Sequence, residues 1–145
     1  MVGDFLILGY VFLIFVSIAF WEAYIEGKYP WAQKQVGWKI KILNYKTITS
    51  YHFFAYIIMV PLFLGLPFVV FGFDLHVFWV FIASYFFGIV LEDFLWFIVN
   101  PYYGLKKFNS ETVYWHNWIK VRRFEIPDFY IYFITVGIFI WIFLV

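Results

Sequence analysis

The chain has 145 residues, of which 66% are hydrophobic and only 13% are charged. A water-soluble domain is about half apolar and about a quarter charged, so this composition excludes that class and indicates a membrane protein. The net charge of +1 gives no support to nucleic-acid binding, and the absence of cysteine excludes disulfides, thiolate metal sites and cysteine nucleophiles. The 22 Phe, 12 Tyr and 8 Trp residues suit a lipid-facing surface, with Trp and Tyr at the membrane interfaces.

The first predicted element is a membrane span over about residues 5–27. Its uncharged run from Phe5 to Trp21 is rich in Ile, Leu, Val and Phe. Because Asp4 stands where a secretory signal would carry basic residues, we interpret this segment as a retained helix. We expect Gly27 to cap its C-terminus and Pro30 to prevent its continuation.

The connection from Lys28 to Ser50 is basic, and its lysines alternate with Trp, Val, Ile and Leu residues. This pattern predicts a short helix on the membrane surface, with its lysines toward anionic head groups. The second span is predicted over about residues 51–73. Pro61 and Pro67 interrupt it, and we expect a kink that opens space beside the neighbouring helices.

The third span is predicted over about residues 75–99, and Asn100 and Pro101 end it. It carries Glu92 and Asp93 side by side in an otherwise apolar run. A charge inside a spanning helix costs several kcal/mol unless it is paired, hydrated or bound to a metal. The depth of this acidic pair therefore indicates a functional site.

The connection from Asn100 to Ile126 is the second basic one. Within it, Ser110 to Arg123 is predicted to form a short interfacial helix, because apolar and polar residues recur there at helical spacing. The fourth span follows over about residues 127–145. It opens with Pro127 and Asp128, which suit the first turn of a helix.

All ten Lys and Arg residues lie in these two connections. The positive-inside rule predicts that both connections are cytoplasmic and that both termini lie outside a cell membrane. Neither a repeat nor a linker divides the chain, so we predict one all-α domain over residues 1–145. The predicted fold is a polytopic membrane protein with four transmembrane helices in a bundle and short interfacial helices in the two cytoplasmic loops.

The predicted topology brings most acidic and histidine residues of the spans to one membrane level. Carboxylates and imidazoles bind divalent metal ions, so we predict a divalent metal site there. The predicted metal ligands are Glu22, Glu26, His52, Glu92 and His116. Every helix lacks the Glu-x-x-His spacing of carboxylate-bridged two-metal bundles, which favours a single metal site with no fixed ligand spacing.

The first functional hypothesis is a pocket at the cytoplasmic interface that binds a metal ion and acts on a lipid-like or quinone-like substrate. The predicted catalytic residues, as ligands, general bases or proton carriers, are Glu92, Asp93 and His116. The predicted substrate-binding residues are Asn100, Lys106, Arg122 and Arg123, and the basic ones would receive an anionic head group.

Other hypotheses stay open at this point. The chain fits a non-catalytic accessory subunit that packs against other membrane protein subunits in a larger oxidoreductase or transporter complex, because its aromatic surface is large. A proton-linked carrier formed by oligomerisation is a third hypothesis. The acids also fit a satisfied polar cluster, in which they reach water, pair with basic residues, or are protonated and hydrogen-bonded.

Overall fold

The computed structural model describes residues 2–31, 33–34, 36–42, 46–122 and 124–145. The four helices in this part of the chain are α1 (Val2–Glu26), α2 (Ser50–Phe71), α3 (Leu75–Val99) and α4 (Asp128–Phe143). Two antiparallel hairpins are formed by β1 (Lys39–Ile42) with β2 (Lys46–Thr49), and by β3 (Trp118–Val121) with β4 (Phe124–Pro127). A 3₁₀ turn covers Leu105–Lys107.

Three of these helices, α1, α2 and α3, are long and apolar enough to cross a membrane. Their mean hydropathies are 2.2, 2.4 and 1.8. Helix α4 is apolar but has only 16 residues, which is roughly 24 Å at the helical rise, against a hydrocarbon core of about 30 Å. The chain is thus a mostly helical, membrane-associated protein, and membrane crossing by α4 stays a prediction.

Helices α1 and α3 run parallel to each other. At their first turns His76 Nε2 lies 2.9 Å from Asp4 Oδ1, and at their last turns the Asn100 side chain donates to the Gly27 carbonyl at 2.9 Å. Helix α2 runs in the opposite direction, because only a short turn, 72–74, separates it from α3. Helix α4 does so too, because Tyr130 near its start contacts Asp93 and Trp141 near its end contacts Phe5. Both hairpins therefore lie at the Asn100 end of the bundle, as the predicted topology requires.

Glycine allows the helices to approach each other closely. A Cβ atom on Gly88 of α3 would lie 2.1 Å from Phe15 Cδ2 of α1, and one on Gly137 of α4 would lie 2.6 Å from Phe87 Cε1 of α3. These contacts pack α3 between α1 and α4. Helix α2 joins the same core through one apolar stripe; this core consists of Val11, Phe15, Ile18, Val60, Leu64 and Phe81.

Helix α2 contains a π-helical segment, Phe53–Met59, immediately before the first proline. Here the Val60 N–H donates to the Ala55 carbonyl, and Pro61 has no N–H to offer to the Tyr56 carbonyl. The Tyr85 hydroxyl donates to that carbonyl instead, at 2.5 Å. The break in the helical hydrogen bonds expected at Pro61 thus appears as a π-helical turn. A side chain of α3 supplies the hydrogen bond that the proline cannot make.

The interfacial helices predicted in the two basic connections are wrong for the described residues. The first connection forms β1 and β2, in which Ile40 pairs with Ile48. Its Lys-Ile-Lys-Ile and Lys-Thr-Ile-Thr segments alternate with a period of two and contain β-branched residues, a pattern that favours strands.

The predicted helix from Ser110 to Arg123 is also absent from its described part. Residues 110–117 form turns, and residues 118–121 form β3, which pairs with β4. Asn109 Oδ1 accepts the Thr112 N–H at 3.0 Å, so the Asn side chain competes with helical hydrogen bonding. Arg123 lies outside the described residues.

Candidate metal centre

Two glutamates of α1 contribute carboxylates to the site. Glu22 and Glu26 lie one helical turn apart on the same face and are only 4% and 6% exposed. The α1 end that carries them is held by Asn100, whose side-chain N–H groups donate to the carbonyl groups of Ala23 and Gly27. The Ala23 carbonyl also accepts the Gly27 N–H, so the main contribution of Asn100 is the partner that it gives to the Gly27 carbonyl just after α1.

His52 brings an imidazole from the start of α2 to these glutamates. Its Nε2 lies 3.4 Å from Glu22 Oε1, and the Tyr56 hydroxyl donates to the other Glu22 oxygen at 2.6 Å. The metal-ligating atoms of Glu22, Glu26 and His52 all lie within 4.8 Å of one another. This three-residue group, called here the first cluster, joins α1 to α2.

The β1–β2 hairpin orients the His52 ring. Thr49, the last residue of β2, caps α2, and its Oγ1 lies 2.7 Å from His52 Nδ1. Trp31 stacks on the imidazole with ring centroids 4.2 Å apart, and its own N–H donates to the Thr47 carbonyl at 2.8 Å. One ring nitrogen of His52 is thus fixed by Thr49, and the other faces Glu22.

A second cluster, Asp93 with His116, repeats this arrangement on the other side of α3. His116 Nε2 lies 3.1 Å from Asp93 Oδ1, and the Tyr130 hydroxyl of α4 donates to Asp93 Oδ2 at 2.6 Å. The His116 side chain is only 4% exposed and packs on Phe129. In both clusters a carboxylate meets one imidazole and one tyrosine hydroxyl.

The segment that carries His116 is fixed by the β3–β4 hairpin. Glu125 of β4 accepts the Ser110 N–H at 2.6 Å and pairs with Lys120 of β3 at 3.0 Å. The Ser110 hydrogen bond first, and then Lys120, lower the pKa of Glu125 to about 2. The Asp128 N–H donates to the Asn117 carbonyl at 2.9 Å, which ties the residue after His116 to the start of α4.

Glu92 lies beside Asp93 on α3 and lines the same cavity as both clusters. It is 5% exposed, and its Oε1 has no hydrogen-bond partner among the described residues. Within the described part of the chain, no Lys or Arg side chain pairs with Glu22, Glu92 or Asp93. Glu22 and Asp93 each face an imidazole, whereas the carboxyl of Glu92 has neither a Lys or Arg nor a His partner among the described residues. Burial of such a group is costly unless a proton or a cation compensates its charge.

Both clusters face one cavity of about 480 Å³. Beyond its polar end, the walls are apolar side chains of α2, α3 and α4, such as Ile57, Phe86, Ile89 and Phe133. Ile57 and Tyr132 are 50% and 62% exposed, so they mark a rim at the side of the bundle, between α2 and α4.

The structure brings all the predicted metal ligands and catalytic residues to this cavity, namely Glu22, Glu26, His52, Glu92, Asp93 and His116. The predicted substrate-binding residues lie elsewhere. Asn100 is 2% exposed and holds α1, while Lys106 and Arg122 are exposed and do not line the cavity. The prediction for Arg123 falls outside the described residues.

Sequence reasoning missed the residues that position the ligands: Trp31, Thr49, Tyr56, Tyr85 and Tyr130. Thr49 carried a signal, because a threonine three residues before His52 fits an N-cap. The tyrosines gave no such signal in the sequence. The chain has 12 of them, and helix rotation decides which of them contact a carboxylate.

Comparison with protein-family models, with curated proteins and with solved structures finds no match to this chain. Its function is therefore inferred from the geometry of the site.

Proposed function

We propose that the chain is an integral membrane protein that binds a divalent metal ion at Glu22, Glu26 and His52 and acts on a lipid-like or quinone-like substrate in the adjoining cavity. The observation that carries this proposal is the 4.8 Å grouping of three ligand atoms, all from largely buried residues. Carboxylate and imidazole together suit zinc, manganese or iron.

The distances within the first cluster fit coordination. Two ligand atoms about 2.1 Å from a metal lie roughly 3.0 Å apart at a right angle and roughly 3.4 Å apart at the tetrahedral angle. His52 Nε2 and Glu22 Oε1 are 3.4 Å apart. Thr49 and Tyr56 supply the outer hydrogen bonds that usually orient a ligating histidine and carboxylate.

The shape of the cavity supports a substrate with a polar head and an apolar body. A head group at the two clusters would meet Asp93, His116 and Glu92, which we propose as the catalytic residues. An apolar tail would extend between α2 and α4, where the rim residues Ile57 and Tyr132 are exposed. In a bilayer this rim faces lipid, so a substrate enters from the membrane.

The basic connections would lie on the cytoplasmic side of a cell membrane with both termini outside, as the positive-inside rule predicts. Lys106 and Arg122, both exposed at the hairpin end of the bundle, would then receive anionic head groups before a substrate enters the cavity.

Metal analysis of protein purified in detergent and reconstituted separately with Zn²⁺, Mn²⁺ and Fe²⁺ tests the proposal. We expect at least one ion per chain in the wild type and at least a tenfold lower affinity in the double variant Glu22→Gln/His52→Ala. Glu111→Gln, an exposed acid outside the cavity, is the control and retains the ion. Wild-type protein that holds no stoichiometric ion under any of these conditions overturns the proposal.

The accessory-subunit hypothesis remains the second candidate. Its supporting observation is α2, whose most apolar window is only 17% buried and whose outer face exposes Leu62, Phe63 and Val69. Light scattering after gentle solubilisation separates the two candidates. A particle that contains only one 17.6 kDa chain speaks against an obligatory complex.

A further inference from the structure

We propose that the cavity receives a lipid-like amphiphile whose polar head is an ammonium group, held by Glu92 and by the aromatic side chains around it. This inference rests on the proposed function, because it names the head group of the substrate that the same cavity receives. It selects an amine-bearing lipid-like molecule over a quinone-like one.

The charged residues of the cavity wall are acidic. Glu22, Glu92 and Asp93 line the cavity, whereas among the described residues neither a Lys nor an Arg does. A cleft of low dielectric constant lined by charges of one sign concentrates the opposite sign. This wall therefore favours a cationic head group. The basic residues at the hairpin end of the bundle, such as Lys106 and Arg122, lie outside the cavity.

Several hydrogen-bond donors at the polar end of the cavity are already engaged. Tyr56 donates to Glu22, and Tyr85 donates to the Tyr56 carbonyl. Trp31 donates to the Thr47 carbonyl. A quinone head group accepts hydrogen bonds through its carbonyl oxygens, so it would meet few free donors here. An ammonium group has three donors and no acceptor, which complements a wall rich in carboxyl oxygens.

Glu92 supplies an acceptor for such a group. It is 5% exposed and lines the cavity, and its Oε1 has no hydrogen-bond partner among the described residues. A hydrogen bond from an ammonium group would both satisfy this oxygen and compensate the charge of the carboxylate. A metal ion at the first cluster leaves Glu92 available, because Glu92 is not a member of that cluster. The N–H of Trp96, one turn further along α3, is also buried without a partner among the described residues, so a head group with one acceptor beside its ammonium group fits as well.

The rest of the wall suits both a cation and an alkyl body. Ten of the twenty described residues that line the cavity are Phe, Tyr or Trp. Aromatic rings occur at its polar end, where Trp31 stacks on His52 and Phe129 packs on His116. An ammonium group within about 6 Å of the face of such a ring is attracted to it. The volume of about 480 Å³ is also that of a small-molecule pocket, which is roughly 300–1,000 Å³.

A comparison of two amphiphiles of equal chain length tests the head group. Zn²⁺-loaded protein in phosphatidylcholine nanodiscs is titrated at neutral pH with radiolabelled decylammonium and with radiolabelled decanol, and uptake by nanodiscs without protein is subtracted. We expect the wild type to bind decylammonium about tenfold more tightly than decanol, or better. In Glu92→Gln this preference should fall to about threefold or less. Glu111→Gln, at an exposed acid outside the cavity, is the control and should retain the preference.

The outcomes separate this inference from the proposed function. Equal affinities for decylammonium and decanol in the wild type overturn the ammonium head group and leave the metal site and a lipid-like substrate standing. A preference that survives in Glu92→Gln overturns the role of Glu92. A wild type that binds neither amphiphile overturns this inference and the substrate part of the proposed function, whereas zinc analysis of the same samples decides the metal part. The wild-type comparison decides the class of head group even if Glu92→Gln fails to fold.

Discussion

The hydroxyl of Tyr85 in α3 donates a hydrogen bond of 2.5 Å to the main-chain carbonyl of Tyr56 in α2. That carbonyl is available because Val60 bonds to Ala55 and Pro61 has no N–H. The bond holds the π-helical part of α2 against α3 at the depth where Tyr56 meets Glu22. A local consequence of one proline thus contributes to the position of a candidate ligand.

Replacing Tyr85 by phenylalanine should destabilise the protein by about 1–3 kcal/mol, because a main-chain carbonyl in an apolar environment loses its partner. Thermal unfolding in detergent measures the effect, and Tyr132→Phe, at a residue that is 62% exposed, should change little. In a Pro61→Ala background the loss should be smaller, since an N–H at position 61 can take over the carbonyl. Equal losses in both backgrounds would refute this explanation.

Gly88→Ala should separate α1 from α3. The new Cβ would lie 2.1 Å from Phe15 Cδ2, inside a buried aromatic packing, and overpacking of this kind costs about 1–3 kcal/mol. Gly65→Ala is the matched control, because nothing lies within 4 Å of a Cβ at that position of α2. Unfolding midpoints of both variants in the same detergent are the measurement, and an unaffected Gly88→Ala would contradict the packing described above.

Thr49→Val should weaken metal binding by about 10- to 100-fold, the usual effect of removing an outer-shell partner of a ligating histidine. The substitution removes the hydroxyl beside His52 Nδ1 and leaves every ligand in place. Thr49→Ser should restore most of the affinity. Thr47→Val in the same strand is the control, because Thr47 contacts the site only through its carbonyl, which accepts from Trp31. Chelator competition measures the affinities, and identical values in all variants would count against His52 as a ligand.

Acid should loosen the β3–β4 hairpin over a defined pH range. The pKa of Glu125 is lowered from an ordinary value of 4.5 to about 2, so its stabilising effect is complete above pH 4.5 and is lost as the pH falls toward 2. The Ser110 N–H donates a hydrogen bond to Glu125. As the pH falls across this range, hydrogen exchange at this N–H should therefore become faster than the intrinsic pH dependence of exchange predicts. In Glu125→Gln the same amide should exchange without that additional pH dependence. A Ser110 amide whose protection is constant from pH 5 to about 2 would contradict this assignment.

The helices were predictable because long apolar runs have few alternatives in a bilayer, and the parallel ends of α1 and α3 follow from their order. The first hairpin was missed although its alternating Lys and Ile residues have the period of a strand, because the basic and aromatic composition of the connection was interpreted as a surface helix. The second was missed because the cross-strand pair of Lys120 with Glu125 is visible only in the structure. Local pattern therefore identified the spans better than the connections.

The acids and histidines of the site were predictable from topology, because charges within spans require an explanation and the spans align their ends. Their pairing was not. Which imidazole faces Glu22 and which faces Asp93 depends on helix rotation and on the turn before β3. The same helix rotations decide which tyrosines contact each carboxylate. Helices α2 and α4 are apolar on all sides, so their sequences do not indicate these rotations.

Anomalous X-ray diffraction from crystals grown with Zn²⁺ or Mn²⁺ tests the metal site most directly. We expect an anomalous peak in the cavity about 2.0–2.2 Å from His52 Nε2 and from carboxylate oxygens of Glu22 and Glu26. Crystals of metal-loaded protein with no peak in the cavity, or with ions only at an exposed site such as His76, would contradict the proposed function.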